Sequence, residues 1–266
     1  MVVSGKLNES DESGGSGAAE APRIHETPGG AGTAGIASWE VMPSPLRRFS
    51  LGRYDVSVRY VPAQSGNKVC GDWYDARLRI NGSAVVAIGD VAGHGAIAAG
   101  GMVRIGNALR GLSFTGQPAS TMLGWLNQVV CSDECPERVA SAVVCVFEQA
   151  RPLLRWAQAG HPPPMLVSGG QARLLDRPAG VLLGTVPAAE YVLACEELAT
   201  GDILFCYTDG LIERRDRDFG QGLAQLLTAA AGCHRASAEE AIIALLDRLE
   251  PPSDDDDVCV LAVRVS

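Results

Sequence analysis

Apolar and polar residues alternate from Tyr54 to Ala63, in YDVSVRYVPA, the mark of a strand with one face buried. ARLRI (Ala76 to Ile80) and SAVVAIGDV (Ser83 to Val91) flank Asn81-Gly82, and Asn-Gly between two apolar runs predicts a hairpin. The period then becomes helical. An alanine-rich stretch with glycine interruptions predicts a helix from about Ala96 to Leu112, and a second runs from about Ala119 to Val130, N-capped near Ser120. Ala140 to Gln149 and Leu153 to Gly160 read as strands. His161-Pro162-Pro163-Pro164 must end the sheet there, because proline has no N–H for a ladder. Met165 to Leu175 reads as a hairpin around Gly169-Gly170, and Tyr191 to Leu198 and Asp202 to Gly210 read as strands. Helices from about Gly220 to Ala231 and from about Ala238 to Leu249 precede a last strand, Val258 to Val265.

Many strands joined by short turns, with helices in pairs, predict an α+β domain built on antiparallel sheets. Regular strand-helix-strand alternation is missing, which argues against a doubly wound parallel fold, and no internal repeat is visible. Residues 1 to about 40 break from the pattern. Asn8 to Ser13 is polar, and Gly, Ala and Ser follow, a composition that buries too little apolar area to offset chain entropy. The expected organisation is a disordered tail over residues 1–43 and one folded domain over 44–266.

Composition changes the picture in three ways. The chain has 266 residues, 47% hydrophobic and 20% charged, which suits a packed globular core and excludes a fibrous or wholly disordered protein. The formal net charge of −9 argues against a general nucleic-acid binder and against attachment to anionic membranes. No apolar window reaches the roughly 18 residues of a membrane span, and Met1 to Gly35 lacks the apolar segment of a signal peptide, so a cytoplasmic location is expected. The 8 cysteines are scattered, several inside apolar runs, as expected of buried reduced thiols. Cys131 and Cys135 form the one close pair, and no second pair or adjacent histidine completes a zinc site.

Aspartates stand where strands end. Asp72 lies in GDWYD, Asp90 closes VVAIGD, Asp209 closes ILFCYTD, and Asp254 to Asp257 precede the last strand. Each alone reads equally well as a turn former or a helix cap, and the four-Asp run alone as a solvated loop. Gathered at sheet ends they would repel one another, and a divalent cation is the usual means of holding them. An all-oxygen set suits Mg²⁺ or Mn²⁺ rather than zinc, and two such ions about 4 Å apart can activate a water for phosphate-ester hydrolysis. Gly93-His94-Gly95-Ala96-Ile97-Ala98 imitates a dinucleotide fingerprint, but no acid occurs between Asp90 and Asp133, where the ribose contact belongs. A tight turn into a helix is the better reading of that segment.

In order, GDWYD, GDVAGHG, AGHPPP, LFCYTDGLIERR and DDDDVCVLAVRV resemble the motifs of the SpoIIE-like serine phosphatases, a bacterial branch of the metal-dependent (PPM, type 2C-like) protein phosphatase superfamily. The resemblance covers about residues 45 to 266. It implies an α-β-β-α sandwich, two antiparallel sheets face to face with a helix pair on each outer face. It also implies a metal centre of two Mg²⁺ or Mn²⁺ ions, with a third left open. Asp72 is then an outer acid, Asp90 the bridging aspartate, Val91 a backbone-carbonyl ligand and Asp209 a further ligand. Asp256 is the chosen ligand of the last motif, with Asp257 its neighbour, and the four-Asp run leaves that register open by one residue. Two departures matter. Cys70 stands where the family often has the first of two glycines, and Ala92 stands where the eukaryotic-type enzymes carry their catalytic histidine. His94 is therefore read as structural or supporting rather than as the general acid, His161 is treated with the same caution, and Trp73 and Tyr74 either pack beneath the metal loop or touch substrate, burial being the preferred reading.

The function implied is hydrolysis of phosphoserine or phosphothreonine in a protein by a two-metal-activated water. By the same resemblance, the substrate is a phosphorylated STAS-domain anti-anti-sigma protein in a partner-switching network that controls a sigma factor. The alternatives are a non-catalytic, phosphatase-like scaffold in such a network and a phosphatase of small phosphoesters. Nothing in the sequence fixes the oligomeric state, and a homodimer is left open.

Overall fold

Eleven strands among the described residues form two sheets. The computed structural model describes residues 46–61, 71–132, 139–214, 218–233, 237–251 and 256–266. The expected tail over 1–43, Cys70, Cys135, Asp254 and Asp255 lie outside the described residues. A six-stranded sheet runs β1 (Arg47–Leu51), β2 (Tyr54–Val61), β11 (Val258–Val265), β10 (Ile203–Tyr207), β7 (Met165–Ser168), β8 (Gln171–Leu174). A five-stranded sheet runs β3 (Trp73–Leu78), β4 (Ala84–Val91), β5 (Ala140–Phe147), β6 (Leu153–Ala159), β9 (Ala194–Glu197). Each ladder pairing is antiparallel.

The sheets pack face to face. Val86, Ile88 and Phe147 of one meet Val56, Leu204 and Leu261 of the other. The opposite face of the five-stranded sheet, with Val85, Ala87 and Val144, is covered by helices α1 (Ala96–Ser113) and α2 (Ala119–Cys131) through Ile105, Leu109 and Leu126. Helices α3 (Phe219–Ala230) and α4 (Ala238–Leu246) cover the outer face of the six-stranded sheet, where Leu226 and Ile242 pack with Phe205 and Val260. The expected α-β-β-α sandwich is therefore the observed fold. Because β4 has a core on both faces, it reads as a continuous apolar run; its even-numbered residues face the other sheet and its odd-numbered ones face the helices.

Several local expectations need correcting. Arg47–Leu51 forms a strand although RRFSL carries little strand signal; a two-residue turn at Gly52, with φ 69°, pairs Leu51 with Tyr54 and lays β1 along β2. β3 begins at Trp73 rather than Ala76, so GDWYD runs directly into the strand. Ser120 is not the cap of α2: Pro118 occupies that place with extended ψ of 156° and no side-chain cap bond. The strand expected from Tyr191 shrinks to Ala194–Glu197, because Tyr191 turns into the helix-side core and the Val192 amide donates to Ala179. α4 ends at Leu246. The hairpins at Asn81-Gly82 and Gly169-Gly170 form as expected. All six described cysteines are free thiols, four of them buried.

Candidate metal centre

Antiparallel pairing decides which acids meet. β3 starts where β4 ends, so Asp72 and Asp90 share one end of the five-stranded sheet. β11 starts where β10 ends, so Asp209, Asp256 and Asp257 share one end of the six-stranded sheet. A hydrogen bond joins the two ends: Thr208 Oγ1 donates to Asp72 Oδ2 at 2.8 Å.

The acids are close enough to raise one another's proton affinity. Asp72, 7% exposed, is held well above the usual carboxylate range by burial and then by the charge of Asp90, with the Thr208 bond opposing. Burial, then Asp209, Asp256 and Asp257, push Asp90 up to about 7. Burial, then Asp256 and Glu213, raise Asp209, which opens the 3-10 turn Asp209–Leu211. Asp257 is buried and Asp256 exposed, and the Asp257 amide donates to Asp256 Oδ1 at 2.9 Å.

Glycines allow this approach. The Val91 amide donates to Gly71 O at 3.1 Å, and a Cβ on Gly71 would stand 2.2 Å from Val91 O and 2.6 Å from Asp90 Oδ1. A Cβ on Gly210 would stand 2.0 Å from Asp257 O. Trp73 is buried against Gly89, next to Asp90, where a Cβ would meet its indole at 2.5 Å; Tyr74 is partly buried against the inter-sheet core.

The donor set fits a hard divalent cation. It offers carboxylate oxygens and a backbone carbonyl, and their mutual repulsion is what a cation relieves. Among the described residues, no three His, Cys, Asp or Glu side chains stand close enough together to hold a metal ion as they are placed. Asp72, Asp90, Asp209, Asp256 and Asp257 instead face one another at Coulombic range, with Val91 O beside Gly71.

The histidines fall outside this set. His94 is exposed on the loop between Gly93 and Gly95, whose φ values of 100° and 78° form the tight turn into α1. His161 is buried, with Nδ1 2.7 Å from Ser141 Oγ, and burial pushes its imidazole down to about 3, so it stays neutral. Ser141 lies opposite Asp90 in the β4–β5 ladder.

Sequence reasoning missed three residues that organise the centre's surroundings. Thr208 carries no local signal beyond standing next to Asp209. Ser141 was hidden in an apolar run. Asn127, fully buried on α2, donates from Nδ2 to Val186 O at 2.8 Å and Pro187 O at 3.3 Å, and its Oδ1 accepts from the Gly184 amide at 2.8 Å. A lone Asn on the apolar face of a helix was the available signal.

Comparison with known proteins bears on the same region. The family model described as Stage II sporulation protein E (SpoIIE) matches residues 81–266. Phosphoserine phosphatase RsbU of Bacillus subtilis (strain 168) is 29% identical over 162 residues, covering 60% of this chain and 47% of that protein. The chain thus spans about half the length of this curated relative. The structure of the RsbU and RsbW domains of Rv1364c from Mycobacterium tuberculosis superposes with a TM-score of 0.71 at 28% identity, over 80% of this chain and 61% of that one. The PP2C phosphatase domain of SpoIIE from Bacillus subtilis, solved with a fragment of its regulatory domain, shares the fold with a TM-score of 0.67 at 17% identity, over 80% of this chain and 63% of that one.

Proposed function

Because the chain belongs to the SpoIIE family, on the PP2C (PPM) phosphatase fold, we propose that it hydrolyses phosphoserine or phosphothreonine in a protein, using Mg²⁺ or Mn²⁺. One observation carries this reading: Asp72, Asp209, Asp256 and Asp257, from strand ends far apart in the sequence, all come within interaction range of Asp90 at one end of the sandwich. The reaction consumes water and a phosphate monoester and yields the free hydroxyl and inorganic phosphate. Divalent cations bound here supply Lewis-acid activation of water and neutralise charge on the phosphoryl oxygens.

The chain's own residues do the rest. Asp72, Asp90, Asp209 and Asp256, with the Val91 carbonyl, are the proposed ligands, and Asp257 stands behind Asp256. Gly71 and Gly210 let the two strand ends close on the centre. Trp73 floors the Asp90 loop, and neutral His161 holds Ser141 beside it. His94, exposed at the mouth of α1, is assigned no proton transfer.

The proposed substrate is a phosphorylated STAS-domain anti-anti-sigma protein, and the proposed setting is a cytoplasmic partner-switching pathway. The similarity to RsbU and to a chain that carries both RsbU and RsbW domains supports this setting. No helix among the described residues is long and apolar enough to cross a membrane. The test is hydrolysis of p-nitrophenyl phosphate with Mn²⁺, with EDTA, and by the Asp90→Asn protein. Turnover should require Mn²⁺, vanish in EDTA and fall at least a thousandfold in the variant. Full activity of Asp90→Asn would refute the assignment. Dephosphorylation of a phosphorylated STAS protein, set against a generic phosphopeptide, tests the substrate.

A further inference from the structure

Asp72 and Thr208 belong to different sheets, 136 residues apart in sequence, and both are buried. The Thr208 hydroxyl accepts from the Cys259 amide at 2.9 Å, which uses one lone pair of the oxygen. Its single proton then has two acceptors in reach: Asp72 Oδ2 at 2.8 Å and Cys259 O at 3.5 Å. The shorter, charge-assisted bond to the carboxylate is favoured. Cys259 O already accepts from the Thr208 amide at 3.0 Å, and its 3.5 Å contact with the hydroxyl is much the longer of the two.

We propose that Thr208 is a positioning residue of the metal centre: it engages Asp72 Oδ2 and fixes this acid, at the end of one sheet, in the frame of the acids at the end of the other. Thr208 adjoins Asp209 in sequence, and Cys259, which supplies the amide, lies two residues after Asp257. The single hydroxyl therefore ties Asp72 to both acid-bearing turns of the opposite sheet. Without it, Asp72 keeps only its side-chain bond with Asp90 at the end of its own sheet, and its tie to the opposite sheet is lost.

This inference rests on the metal-dependent reading above, and Mn²⁺ binding tests both, read from the electron paramagnetic resonance of free Mn²⁺ without any turnover. Thr208→Val keeps the shape and removes the hydroxyl; it should weaken Mn²⁺ binding about tenfold, the lower end of what loss of a ligand-orienting partner costs. Thr208→Ser, which restores the hydroxyl, should bind within about threefold of wild type. Circular dichroism checks that each chain is folded, and Thr208→Ala replaces the valine variant if that one is not. A double-mutant cycle with Asp72→Ala, which removes the acceptor, should show that removing the hydroxyl costs little once the carboxylate is gone. Wild-type affinity in the hydroxyl-free variant overturns the proposal, as does equal weakening in the serine and hydroxyl-free variants. Failure of the wild-type protein to bind Mn²⁺ overturns the metal reading itself, and the proposal with it.

Discussion

Removing Asn127 tests whether one buried amide holds the loop that borders the acid centre. Asn127 is fully buried, and its side chain makes three bonds to the backbone of Gly184, Val186 and Pro187. The adjoining Leu183 is paired with Ala140 in both directions, and Ala140 lies opposite Val91 in the β4–β5 ladder. Asn127→Ala breaks two short backbone bonds, one long one and the weak 3.7 Å bond from the Cys131 thiol. Each short bond is worth about 1 kcal/mol net, and the amide-sized void adds on the order of 1 kcal/mol. Gly184 is partly exposed, and Val186 and Pro187 are exposed, so their freed groups can turn to water and the cost stays near this sum of about 3 kcal/mol. For a domain of this size that lowers Tm by about 6–12 °C. Calorimetry reads the shift, and hydrogen exchange reads its place: the Gly184 amide should exchange faster while amides in the centre of β5 stay protected. A Tm within 2 °C of wild type, or an unchanged Gly184 exchange rate, would refute the reasoning.

Two further outcomes follow from single positions. Gly71→Ala places a Cβ 2.2 Å from the Val91 carbonyl oxygen, a backbone atom that cannot swing aside, and should cost about 2–3 kcal/mol by urea unfolding, whereas Gly100→Ala in α1 meets nothing within 4 Å and should raise stability. Equal effects of the two would show that the Gly71 contact is not tight. His161 has its folded-state pKa depressed to about 3 against about 6.5 in the unfolded chain, so its contribution is fully present above pH 6.5 and is lost as pH falls toward 3. The loss reaches about 2 kcal/mol at pH 5. The stability of wild type relative to His161→Gln should therefore fall between pH 7 and pH 5; a pH-independent difference would show that His161 is not the buried neutral group described.

Much of the sandwich was legible because its strands are bounded by strong signals: Asn81-Gly82, Gly169-Gly170 and the prolines after His161. Where the sequence misled, the deciding contact was distant. β1 exists because β2 lies beside it, not because RRFSL prefers to be a strand. Tyr191 left its predicted strand for a core formed with α2, which no local pattern reveals. Ser120 has the right side chain for a cap, but Pro118 fixes the entry to the helix two residues earlier. The acids were legible as strand-end aspartates. Thr208 and Asn127 were not, because their partners are 136 and 57 to 60 residues away.

Side-chain alternation explains why these particular residues meet. On β4 the even positions Ala84, Val86 and Ile88 face the other sheet, and Asp90 continues that series. Tyr74 of β3 packs toward the same inter-sheet core, which gives Asp72, two residues before it, the same side. Leu204 and Cys206 of β10 lead to Thr208 by the same step, and Cys259 and Leu261 of β11 lead back to Asp257. The residues that extend these four rows past the apolar core are thus three aspartates and a threonine. A strand residue one place off would have its carboxylate under the helices, in an apolar layer with nothing to pair it. Asp256 and Asp209 are off the alternation, and each escapes that fate differently: Asp256 is exposed before β11 begins, and Asp209 opens a 3-10 turn that breaks the strand. Within the Asp-Asp pair this separates an inner acid, Asp257, whose charge bears on Asp72 and Asp90, from an outer one, Asp256, whose charge bears on Asp90 and Asp209. The one-residue ambiguity of the sequence thus becomes two positions with different neighbours: both charges bear on Asp90, and Asp256, the ligand proposed above, is the exposed one of the two.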